Sequence, residues 1–75
     1  MKLRTTYIGP VGFKGSRIRA RMNGRQLTVP YDHASTDPHK DTAVQLAWTL
    51  FPVAEVKAID MTANGYVYEV TEVKP

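Results

Sequence analysis

The chain contains no cysteine. A disulfide or a thiolate–zinc site therefore cannot hold it together. Its 75 residues make one small domain, 1–75, and folding at that size buries only about 60% of the surface the unfolded chain exposes. Small uncrosslinked domains often gain stability by dimerising or by docking on a partner, so a homodimer is one expectation. No apolar run approaches 18 residues, which predicts no membrane span and no membrane partner. Lys2 is followed by Thr5, Thr6 and Tyr7 rather than an apolar stretch, which predicts no secretory signal. There is no phosphate-binding loop, dinucleotide fingerprint or nucleophile motif, and the reading is a protein without cofactor, metal or catalytic site.

The most informative absence is that of acid from the first third. Residues 1–26 carry Lys2, Arg4, Lys14, Arg17, Arg19, Arg21 and Arg25 and no Asp or Glu. Residues 27–75 carry three lysines against seven acids. The net charge of +3 thus hides a dipolar distribution, which gives a directed field rather than a uniformly basic surface.

What is present reads as five strands and one helix. Residues 2–8 alternate, with Leu3, Thr5 and Tyr7 on one face and Lys2, Arg4 and Thr6 on the other. In residues 16–22, Arg17, Arg19 and Arg21 alternate with Ile18, Ala20 and Met22. Asn23-Gly24 is a two-residue hairpin signal, because both residues tolerate positive φ. It predicts the register Met22–Arg25, Ala20–Leu27 and Ile18–Val29 on one face, with Arg21–Gln26, Arg19–Thr28 and Arg17–Pro30 on the other. Pro30 has no N–H to give a ladder, so the third strand belongs at an edge. Asp37-Pro38 is an N-cap followed by proline at the first helical position. Ala43, Leu46, Ala47 and Leu50 then form the inner stripe of a helix over 38–51, which Pro52 terminates. Asn64-Gly65 predicts a second hairpin within 55–73. Its buried face holds Ile59, Met61 and Ala63, and Asp60 stands opposite Glu69 on the other face. The expected fold is α+β, in the order β-β-β-α-β-β: a mostly antiparallel sheet with one helix packed on one face. Its core holds Ile18, Ala20, Leu27, Val29, Leu46, Leu50, Ile59 and Val70.

In that arrangement Lys2, Arg4, Arg17, Arg19 and Arg21 share the uncovered face. Alternate strand residues lie about 6.6 Å apart, close to the phosphate spacing along one nucleic-acid strand. Lys14 adds charge from the preceding loop, and Asn23 and Arg25 at the hairpin tip have donors suited to base edges. The basic face carries no aromatic residue on which single-stranded bases could stack, which favours duplex or backbone contact. The competing structural explanation is that Asp60 and Glu69 neutralise the strip. A further alternative is that the strip or an edge strand docks on an acidic host protein, with Trp48 or Phe13 as anchor. Asp32, His33, Asp37, His39 and Asp41 lie close together, but in a loop and helix start, where such residues normally cap backbone donors.

"YIGP" at residues 7–10, "GSRI" at 15–18, "TVPYDHA" at 28–34, the amphipathic helix and the closing "NGYVYEV" resemble a group of small proteins encoded by bacteriophages and prophages. The segments "VGFK" and "FPVAE" depart from that pattern. The resemblance implies a phage accessory or host-takeover product in the cytoplasm of a bacterial host, and it carries no functional residue over. A binder of nucleic acid or an inhibitor of a host or defence protein fits that setting equally.

Overall fold

The computed structural model describes every residue except 11, 13, 14, 74 and 75. The described residues form five strands and one helix: β1 (Lys2–Ile8), β2 (Arg17–Met22), β3 (Arg25–Pro30), α1 (Pro38–Leu50), β4 (Ala54–Thr62) and β5 (Gly65–Glu72). The strands make one antiparallel sheet of order β3-β2-β1-β5-β4, and α1 packs against one face, giving the expected α+β domain. The described helix is neither long nor apolar enough to cross a membrane.

The first hairpin has the register its turn predicts. Asn23 (φ 51°) and Gly24 (φ 74°) both adopt positive φ, and Met22–Arg25, Ala20–Leu27 and Ile18–Val29 pair on the helix side. Asp37 caps α1 by accepting from the Lys40 amide at 3.1 Å. Asp32 pins the preceding turn by accepting from the Ala34 amide at 2.9 Å. Between sheet and helix lie Leu3, Ala20, Met22, Ala43, Leu46, Ala47, Tyr68 and Val70, all buried. Ile18 is fully buried as well. Leu27 and Leu50 close the margins as half-buried residues packed on this cluster, and Val29 is half-buried.

The second hairpin departs from expectation. Its turn is Ala63-Asn64, because Thr62 pairs with Gly65. A register shift between Ala58 and Asp60 then inserts Ile59 as an extra residue. A bulge of this kind leaves its additional residue unpaired. Ile59 is therefore not in the core but 47% exposed. Met61, 70% exposed, still shares the helix-side face with Tyr66, but the helix does not reach it. Ala63, in the turn, is exposed too. Trp48, 54% exposed, uses its indole N–H to hold the Ala54 carbonyl at 3.0 Å, which joins the helix end to β4.

Candidate functional site

The uncovered face can be read off the strand register. One row across the sheet runs Gln26–Arg21–Arg4–Val67–Asp60, and the next runs Thr28–Arg19–Thr6–Gly65–Thr62. Arg17 follows, between Pro30 and Ile8. Lys2 lies at the other end, beside Glu69. Alternation on two adjacent strands, β1 and β2, thus gathers Lys2, Arg4, Arg17, Arg19 and Arg21 on one face, and strands β1, β2 and β3 contain no acid.

The electrostatics are uncompensated within this half of the face. Arg4 stands directly opposite Arg21, and like charges so placed are destabilising. The side chains of Arg17 and Arg19 pack down far enough to cover their Nε atoms, which have no hydrogen-bond partner. A buried donor left unsatisfied costs about 1–3 kcal/mol. Among the described residues, no arginine forms an ion pair with a carboxylate.

The acids expected to neutralise the strip are engaged elsewhere. Asp60 does not face Glu69; the bulge and the shifted turn pair Asp60 with Val67. The Asp60 carboxylate accepts from the Met61 amide at 2.8 Å. Glu69 lies between Lys2 and Lys57 in the register, and its Oε1 is 3.0 Å from the Met1 ammonium. Strand order explains the separation from the arginines of β2: β1 lies between them and Glu69 on β5, and both β1 and β5 lie between them and Asp60 on β4.

The other candidates divide. Asn23 sits at the turn, where its amide donates to the Met1 sulfur at 3.2 Å. Arg25 pairs with the buried Met22 and so belongs to the helix-side face, apart from the strip. Lys14 and Phe13 lie outside the described residues.

A second feature escaped the sequence. Beyond the N-terminal end of α1, an open groove of about 650 Å³ is lined by Tyr7, Tyr31, His33, His39, Tyr66 and the tip of the second hairpin. Tyr7 and Tyr31 meet edge to face with centroids 5.7 Å apart, and the His33 ring lies 4.8 Å from Tyr31. On the opposing elements, His39 meets Tyr66 edge to face at 5.0 Å. Thr5 fixes that pair: its Oγ1 accepts from the Tyr66 amide at 3.2 Å and shares a 2.8 Å hydrogen bond with Nδ1 of His39. Burial lowers the His39 pKa, and nearby Asp37 opposes this in part. Of the four tyrosines, Tyr7 is 40% exposed and only Tyr68 is deeply buried. The signal available was position: Tyr7 and Tyr31 lie at strand ends and Tyr66 follows the hairpin turn, where one helix of 13 residues leaves the sheet uncovered.

No protein family matches the chain, and no curated protein or solved structure matches it significantly.

Proposed function

We propose that this domain binds nucleic acid through phosphate contacts on the basic face of β1 and β2. The observation that carries the reading is the Arg4–Arg21 pair, two cations in register with no carboxylate on either strand or on β3. An anion between them converts a repulsion into two attractions. A polyanion does so along the line from Arg4 to Arg17, releasing its own counterions at each contact. Thr6, Thr28 and Gln26 stand beside the arginines in the same rows and supply uncharged donors of the kind that position a phosphate backbone. The setting we favour is the cytoplasm of a bacterial host carrying a phage or prophage.

The test is anisotropy of a labelled duplex at rising salt. Affinity should fall steeply and log-linearly. Arg19→Ala should weaken all sequences alike and reduce the slope by about 1. Absence of binding to duplex and single strand at low salt would overturn the reading.

The free edge of β4 favours one further reading. It exposes Ile59 beside an unpaired ladder, the usual template for strand addition by a partner protein. In that case the arginine face steers an acidic host protein, and the complex survives nuclease.

A further inference from the structure

We infer that the groove beyond the N-terminal end of α1 is a stacking site for one unpaired nucleobase of the strand whose phosphates lie on the arginine face. The groove belongs to the other side of the sheet, and among the described residues no Lys, Arg, Asp or Glu lines it. Its walls are rings, with Tyr7, Tyr31 and His33 on one flank and His39 with Tyr66 on another. Its rim includes Asn64 at the tip of the second hairpin, whose side-chain amide carries both a donor and an acceptor. A flat, uncharged ring with donors and acceptors on its edge is the ligand this combination suits. Aromatic faces stack any base, and polar edges satisfy the groups that stacking leaves exposed.

Continuity with the basic face selects a base over another planar ligand. Ile8 pairs with Arg17 on the uncovered face, while Tyr7, one residue earlier, projects to the groove side. The Tyr7 hydroxyl bonds the Ser16 hydroxyl at 2.8 Å, and Ser16 precedes Arg17. A strand following the arginines from Arg21 to Arg17 therefore reaches the sheet end where the groove opens. The basic face carries no aromatic residue, which favours duplex or backbone contact there; the groove supplies an aromatic platform around the corner. The lining chemistry stands by itself, whereas the attachment of the base to a strand rests on the phosphate reading above.

Four proteins separate the two: the parent chain, Tyr31→Ser, Arg19→Ala, and Tyr31→Phe as the control that keeps the ring. Each is titrated with a single-stranded oligonucleotide, with the duplex of the same length, and with free adenosine followed by NMR of the Tyr and His ring protons. Tyr31→Ser should lose single-strand affinity roughly tenfold, keep duplex affinity and salt slope, and lose the saturable adenosine shifts. Tyr31→Phe should behave as the parent chain. Arg19→Ala should weaken both nucleic acids and leave the adenosine shifts intact. Equal single-strand affinity for the parent and Tyr31→Ser, or absence of saturable ring shifts with adenosine, overturns the base site while leaving the phosphate reading untouched. Adenosine shifts in a protein that binds neither nucleic acid overturn the phosphate reading, and with it the strand attachment, leaving a site for the free nucleoside.

Discussion

Gly65 lies so close to Thr5 that a β-carbon at position 65 would overlap the Thr5 carbonyl. The contact is backbone against backbone, so no rotamer change can relieve it. Its φ is not positive, and the glycine is required by proximity rather than by conformation. Gly65→Ala should push β5 from β1 and disturb the neighbouring Tyr7 amide bond to the Asn64 carbonyl, 2.7 Å in the native chain. Overpacking of this kind costs about 1–3 kcal/mol. In a domain this small each kcal/mol shifts the melting temperature by about 4–8 °C. A melting curve for Gly65→Ala within 2 °C of the parent would contradict the placement of β5 on β1.

That glycine also marks where the sequence stopped being legible. Both hairpins contain Asn-Gly, and by local pattern each predicts a two-residue turn at that pair. In the first, Asn23 and Gly24 occupy positive φ and make the turn. In the second, the turn is one residue earlier, and Gly65 is spent on the approach to Thr5, a contact 60 residues distant in the chain. Local pattern could not reveal it. The bulge at Ile59 compounds the shift, moving Ile59 out of the core and Asp60 away from Glu69. By contrast, the basic strip depends only on alternation and one turn, both local, and the five strand cations predicted to share a face do so. The groove was illegible for the opposite reason: it joins the ends of five elements, which strand order and helix packing bring together.

The helix-to-sheet contact is testable at its centre. Leu46 is buried among Ala20, Ala43, Tyr68 and Val70 in the core cluster. Leu46→Ala should cost about 2–5 kcal/mol through lost burial and the remaining cavity. Urea denaturation should show a lower midpoint with an unchanged slope.

Arg4 and Arg21 offer a test in which stability and binding move in opposite directions. Replacing Arg21 with Gln removes the cross-strand repulsion with Arg4. The substitution should stabilise the fold by about 0.2–1 kcal/mol at low salt, with the gain shrinking as salt screens the pair. The same change should weaken duplex binding and lower the salt slope. A variant that loses stability at low salt would show that the pair is compensated in the parent chain.

His39 predicts a pH dependence with a definite sign. Burial holds its folded-state pKa below the ordinary 6.5, despite Asp37. The folded chain therefore binds a proton less readily than the unfolded chain. The contribution to stability is complete above the ordinary value, and it declines as pH falls from there through the lower folded value. In His39→Gln this decline should disappear. Urea midpoints of the parent should drop more than those of the variant between about pH 7.5 and pH 5.5. Parallel midpoints would show that His39 is as free to protonate in the fold as in the unfolded chain.

The last test concerns the acids of the uncovered face. If Asp60 and Glu69 neutralised the arginines, phosphate would have to displace them, and Asp60→Asn with Glu69→Gln would sharply increase affinity. The register argues otherwise. Val67 separates Asp60 from Arg4, and Glu69 is held between Lys2 and Lys57. Among the described residues the ion pair of Glu69 is with the Met1 ammonium, 3.0 Å away. The double variant should therefore change duplex affinity only through a long-range field, which is largely screened at about 0.15 M salt, where the Debye length is about 8 Å. At about 0.01 M salt that length is about 30 Å, and a modest gain in affinity should appear. The discriminating quantity is the gain at the higher salt. A several-fold increase there would require direct contact between these carboxylates and the strip, and would return the arginines to the role of a self-neutralised surface. An unchanged affinity there, with Arg19→Ala still weakening binding, leaves the strip as a set of cations whose partner comes from outside the chain.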